Sequence, residues 1–135
     1  MREILFRGQS IEDNRWVYGD LIREKKSFGK ICTRIYRTTN NGWELIDVDS
    51  KTVGQYTGLN DENGNKIFEN DIVAYWDTYS TENGQSEADC IGKVVWDDET
   101  ISFQVTNRLS AESYEVLDEC SVIGNIFDNP ELLEE

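Results

Sequence analysis

The chain has 135 residues, with 13 Lys and Arg against 27 Asp and Glu and no histidine, for a formal charge of −14. That length suits one domain, or one domain with an arm, and 38% hydrophobic with 11% aromatic residues suffices for a core. The lack of histidine excludes Ser-His-Asp and Cys-His nucleophile systems, HExxH zinc sites and His general bases, leaving carboxylates, Lys, Tyr and Cys as conceivable catalytic groups.

In chain order, short runs rich in Val, Ile, Thr, Tyr, Phe and Trp predict strands over residues 2–7 and 15–22, then a hairpin from 30–37 and 43–48. Residues 72–76 and 94–96 are apolar on both faces, as in doubly covered strands, which places Trp76 and Trp96 in the core. Over 100–106, Ile101, Phe103 and Val105 alternate with Ser102, Gln104 and Thr106, the period of a strand with one buried face. Asn-Gly pairs at Asn41-Gly42, Asn63-Gly64 and Asn83-Gly84 predict type I′ hairpin turns. The polar stretch 77–89 reads as a long mobile loop. The end, Asn129-Pro130-Glu131, predicts one or two helical turns with Asn as N-cap. The fold class is therefore mainly β, a small barrel or sandwich.

Charge is uneven. Residues 1–37 carry nine basic and five acidic side chains, residues 38–135 four basic and 22 acidic. This points to two faces of opposite sign, to a self-complementary contact between protomers of a homo-oligomer, or to a solvated acidic surface. Whole-chain binding of nucleic acid is disfavoured by the net charge. Only the basic stretch 23–37 could grip a strand, through Lys25, Lys26, Arg34 and Arg37 with Phe28 and Tyr36 between them, although a solvated hairpin face accounts for it better. Conversely, so acidic a chain could imitate a phosphate backbone. Cys32, Cys90 and Cys120 form no CxxC and are odd in number, which favours a reducing compartment. No signal peptide and no apolar run of membrane length is present, so the expected location is cytoplasmic.

Constellations that suggest chemistry have simpler readings. Asp61, Asn63, Asn65 and Glu69 superficially match a calcium loop, but the sixth position falls on Lys66 and the twelfth on Ile72, so a polar turn is expected and no metal site. Asp97, Asp98 and Glu99 beside Trp96 suggest glycoside chemistry, yet a hairpin turn explains them. Neither P-loop nor GxGxxG occurs. No catalytic residue, metal or cofactor is assigned.

Three segments together resemble the YopX family of bacteriophages and prophages of Gram-positive bacteria. They are MREILFRG with Trp16-Val17-Tyr18-Gly19-Asp20-Leu21, the run VGQYTGLNDENGNKIFENDIV over 53–73, and VIGNIFDNPELL over 122–133. Asn70 stands where the family usually has glycine, and Asn also tolerates left-handed geometry. The resemblance implies an SH3-like β-barrel component. The expected arrangement is a single domain, residues 1–135, with an N-terminal β-hairpin region over 1–50 and the barrel region over 51–135, the short helical turn lying at its end. The resemblance implies no reaction. In such a barrel Trp16 and Tyr18 are either core or the lining of a peptide groove, and Tyr56 packs in a turn between Gly54 and Gly58 in preference to touching a ligand. The functional expectation is a non-enzymatic module that binds a host or phage protein. A nucleic-acid-directed protein is the first alternative and a carboxylate-based enzyme the second.

Overall fold

A computed structural model describes residues 3–107, 113–115 and 119–134. The chain divides into two compact units, Met1–Tyr56 and Thr57–Glu135.

The N-terminal unit is an antiparallel meander of β1 (Phe6–Ser10), β2 (Trp16–Lys25), β3 (Ile31–Thr39) and β4 (Gly42–Asn60), the last running on past the boundary. It closes on itself, because β1 pairs with β4 as well as with β2: Phe6 stands opposite both Gly19 and Gln55. Alternation along the strands sends Val17, Ile35 and Val48 inward to a fully buried cluster, against which Phe6, Leu21, Ile46 and Val53 pack. Burying each such side chain contributes about 1.5–3 kcal/mol. Gly19 lets β2 and β3 approach, since a Cβ there would lie 2.1 Å from the Tyr36 carbonyl oxygen. The β1–β4 register slips between Arg7 and Gln9, where β4 bulges. Buried Thr52 ties the bulge down: its hydroxyl accepts from the Gln9 amide at 2.8 Å and donates to the Asp49 carbonyl at 2.6 Å.

In the C-terminal unit β5 (Lys66–Phe68) pairs with the end of β4. A second antiparallel sheet has the order β10-β6-β7-β8-β9, from β6 (Asp71–Thr81), β7 (Gly84–Asp97), β8 (Ser102–Asn107), β9 (Ser113–Glu115) and β10 (Cys120–Asn125). Its core is Ile67, Val73, Val94, Val105 and Cys120, with Tyr75, Phe103 and Val122 against it. A 3-10 turn at Pro130–Leu133 ends the chain. The mainly β class and the short C-terminal helical turn are as the sequence predicts.

Several local expectations are corrected. The strand predicted at 2–7 starts at Phe6, and residues 1–2 lie outside the described residues. Residues 77–89 are no loop but a ribbon, in which β6 and β7 stay paired out to Thr81 opposite Gly84. Polar composition does not separate the two, because the backbone ladder needs no apolar side chain. The Asn-Gly turns are not type I′: positive φ falls on Gly42, Gly64 and Gly84 and on none of the preceding asparagines. Two-residue loops at residues 40–41 and 82–83 precede Gly42 and Gly84, so each glycine is already a ladder residue. Ile101 is the turn residue, with φ +53, rather than the first inward residue of β8, and Gln104 is buried beside Val105 because its amide donates to the Ser102 hydroxyl at 2.7 Å. Trp76 and Trp96 are not core; they are 67% and 44% exposed. Trp96 lies edge-on to Phe103, its ring nitrogen donating to Asp98 at 2.8 Å. Asn129 makes no side-chain cap to the terminal turn, its oxygen accepting instead from the Asn125 amide at 3.2 Å. Asn70 does hold left-handed geometry, at φ +76.

Candidate binding surface of the N-terminal unit

The polar loop that superficially suggests calcium is occupied by its own backbone. Asp61 is buried, with one carboxylate oxygen accepting from the amides of Asn63 (2.9 Å) and Asn65 (2.8 Å) and the other from the Val122 amide (2.8 Å). Burial alone would raise its pKa, but the amide hydrogen bonds outweigh that and hold it below the ordinary value. Asp71, also buried, accepts from the Phe68 amide at 2.7 Å. The segment most characteristic of the resemblance is thus a set of structural ties. Asp97, Asp98 and Glu99 form the expected turn, with the Glu99 amide on Asp97.

The seven sequence-predicted binding residues are not brought to one place. Trp16 is half-buried under the Arg7 guanidinium, 4.8 Å from its ring centroid, while Tyr18 two residues on is exposed. Tyr56 is buried in a strand, its amide donating to the Leu5 carbonyl, so it packs as expected but in β4 rather than in a turn. Arg34 bonds Asp47 at 2.8 Å and Glu24 at 3.4 Å, and Arg37 bonds Glu44 at 2.9 Å. The Asp47 hydrogen bond chiefly raises the Arg34 pKa. Lys26 sits 3.4 Å from Glu24. Lys25 is exposed, with no ion pair among the described residues. Three of the four cations are therefore neutralised, Arg34 and Arg37 by neighbours on adjoining strands and Lys26 by Glu24 two residues back, the arrangement of a solvated salt-bridged face.

What the strands do bring together is an apolar strip on the outer face of β2, β3 and β4. Because Thr33 and Ile35 point inward, Arg34 and Tyr36 point out, with Ile22 opposite Arg34 and Leu45 opposite Tyr36. Trp43 stacks on Tyr36 with ring centroids 5.9 Å apart. Trp43 is 66% exposed, Leu45 39% and Ile22 38%. Below this strip a cleft of about 470 Å³ is lined by Ser10, Cys32, Arg34, Asp47 and their neighbours, and a notch of about 290 Å³ by Ser10, Ile11, Glu12, Leu45, Ile46 and Asp47. Ile22, Trp43 and Leu45 carry no motif; the available signal was Trp43 and Leu45 two apart on a strand whose opposite face holds Ile46 and Val48.

The tip of the β2–β3 hairpin is a separate feature. Arg23, Lys25, Lys26 and Lys30 are exposed around Phe28, which is 98% exposed. Charge follows the unit boundary: residues 1–56 hold ten Lys and Arg against eight Asp and Glu, net +2, and residues 57–135 hold three against 19, net −16.

These features define a two-unit antiparallel β-protein whose N-terminal unit presents an aromatic face. The family model described as YopX protein matches residues 5–134. The chain belongs to the YopX family. It is similar in fold to the crystal structure of protein EF1440 from Enterococcus faecalis, with TM-score 0.54 and 22% identity over 99% of this chain and 100% of that one. No curated protein matches the chain. Among the described residues, no helix is long and apolar enough to cross a membrane.

Proposed function

We propose that this chain is a non-enzymatic binding module for a protein partner, of phage or prophage origin and acting in the bacterial cytoplasm. The observation that carries this reading is the outer strip of Ile22, Tyr36, Trp43 and Leu45, apolar surface on three adjoining strands of a small unit that has its own filled core. A monomer gains nothing by exposing a stacked tryptophan, whereas a partner that covers it removes apolar area from water. Family membership supports the origin but supplies no activity.

The test is retention of a partner from nuclease-treated lysate of a Gram-positive bacterium by the tagged chain and by Trp43→Ala and Leu45→Ser. The wild type retains a discrete protein, and both variants lose it while keeping their circular dichroism. Equal retention by all three would sink the reading. A second reading rests on the β2–β3 hairpin, where Arg23, Lys25, Lys26 and Lys30 are exposed within five residues of the exposed Phe28: stacking and phosphate contact there would bind single-stranded nucleic acid. It predicts a low-salt mobility shift of single-stranded DNA, and the absence of any shift removes it.

A further inference from the structure

The apolar strip ends at a strand edge that is chemically open. β3 and β4 are joined by a two-residue loop, so Gly42 and Thr39 bond each other and, counting by twos, Glu44 and Ile46 also direct their amide and carbonyl toward β3. Trp43, Leu45 and Asp47 direct theirs the other way. The geometry agrees at the far end, where the Ile11 amide donates to the Asp47 carbonyl at 3.1 Å, prolonging the β1–β4 ladder by one step beyond Ser10 opposite Val48. There the β1 chain leaves. The Asn14 amide donates to the Ser10 carbonyl and Asn14 takes φ +59, turning residues 11–15 back into β2. The next two ladder positions, those of Leu45 and Trp43, have no partner among the described residues. The notch of about 290 Å³ between Ile11 and Leu45 begins at this vacancy.

We infer that an extended segment of a partner protein adds to this edge, prolonging the β1–β4 ladder along Leu45 and Trp43 and laying alternate apolar side chains against Trp43, Leu45 and Ile11. This rests on the protein-binding reading above and specifies its mode. Backbone bonds at the edge supply affinity and the alternating side chains supply selectivity. Charge selects the occupant. From Gly42 to Asp49 the strand carries no Lys or Arg; Glu44 and Asp47 are held by Arg37 and Arg34, which leaves Asp49 and, lining the notch, Glu12. Glu12 and Asp49 have no ion pair among the described residues. A second copy at the same edge brings no Lys or Arg from this strand to its carboxylates, whereas a foreign strand carrying them does. The fitting strand is a foreign one that alternates apolar residues with Lys or Arg.

The experiment selects short random peptides, displayed on phage, against the full chain and carries the best synthetic peptide through three measurements. Selected peptides are expected to alternate apolar with basic residues. Hydrogen exchange at the Trp43 and Leu45 amides should slow at least about tenfold at saturation, since both become ladder donors. Leu45→Pro should bind at least about tenfold more weakly yet stay folded, because its amide faces away from β3 and proline is tolerated on such an edge. Should that variant not fold, peptides N-methylated at alternate amides give the same loss on the wild type. Three results would overturn the inference: no peptide selected, binding unaffected by both edge blocks, or Trp43 and Leu45 protection that rises with protein concentration alone, the sign of a second copy. Trp43→Ala separates the two levels. Weakening by Trp43→Ala without weakening by the edge blocks leaves the binding face standing and removes the strand addition; indifference to all of them removes both.

Discussion

The connection at Lys26–Lys30 in the N-terminal unit and the one at Asp61–Asn65 in the C-terminal unit share a backbone. In each the first residue's carbonyl accepts from the glycine three residues on, at 2.9 and 3.0 Å, and its amide donates to the carbonyl four on, at 2.7 and 2.8 Å. Gly29 and Gly64 take φ +80 and +83. This is the three-residue hairpin loop, a type I turn followed by a left-handed glycine. The side chains then diverge. The first turn opens with Lys26 and exposes Phe28 at its tip; the second opens with Asp61, whose buried carboxylate ties its own turn and the start of β10. One backbone solution thus serves presentation in one unit and fixation in the other, according to the side chains it carries. The lesson extends to the polar residues generally: polarity in a turn says little until the destination of each oxygen is known.

The sharpest way to test that contrast is Asp61→Ala. It leaves three backbone amides without their anionic acceptor, two in the turn and one on Val122, and should cost about 3 kcal/mol or more in denaturant unfolding. Lys26→Ala at the equivalent position should cost less than about 0.5 kcal/mol, since it loses only an exposed contact with Glu24. Equal costs would break the contrast. The same carboxylate gives a pH signature. Its pKa is lowered in the folded state, so its stabilisation is complete above the unfolded value of about 3.9 and is lost as pH falls through the folded value. Melting temperature followed from pH 7 downward should therefore drop more steeply below about pH 4 for the wild type than for Asp61→Asn. Parallel curves would show that the carboxylate charge contributes nothing there.

The shared part of the two turns makes a smaller, symmetrical prediction. A Cβ at Gly29 or Gly64 meets open space, so the only penalty of Gly29→Ala and Gly64→Ala is the left-handed backbone. Each should lose about 1–2 kcal/mol by chemical denaturation, and the two losses should agree. A large difference would mean that the turns are not equivalent in solution.

How much of this was legible in the sequence depends on what kind of signal each residue leaves. The β class was legible because the Val, Ile and aromatic runs between turn residues survive in any environment, and the Asp61 turn was legible because the calcium pattern fails at Lys66 and Ile72. Trp76 and Trp96 are exposed although their strands are apolar on both faces, because small units cannot cover every large ring. Arg34 and Arg37 are a different case. Their acidic partners Asp47 and Glu44 lie on the next strand, so their neutralisation depends on register, which residue spacing alone does not give. The open edge at Trp43 and Leu45 was invisible for the same reason: it exists only because β1 departs at Ile11 while β4 continues.

The smallest expected effect concerns the presented tip. Phe28 is 98% exposed and packs on nothing that its removal would uncover, so Phe28→Ser should change unfolding free energy by less than about 0.5 kcal/mol. A ring so placed adds nothing to the fold, and the cations near it in sequence set the kind of surface it could meet. If the tip engages single-stranded nucleic acid, Phe28→Ser should weaken binding at low salt through one lost stacking contact, roughly 1–3 kcal/mol and hence about a fivefold loss or more, without altering the salt slope. Lys25→Ala should instead reduce that slope, because it removes a phosphate contact and not a stack. The pair of substitutions therefore reads stacking and charge separately, on a hairpin whose stability neither one disturbs. Should Phe28→Ser lower stability by more than about 1 kcal/mol, the ring has a structural role and the contrast with the Asp61 turn narrows to the carboxylate alone.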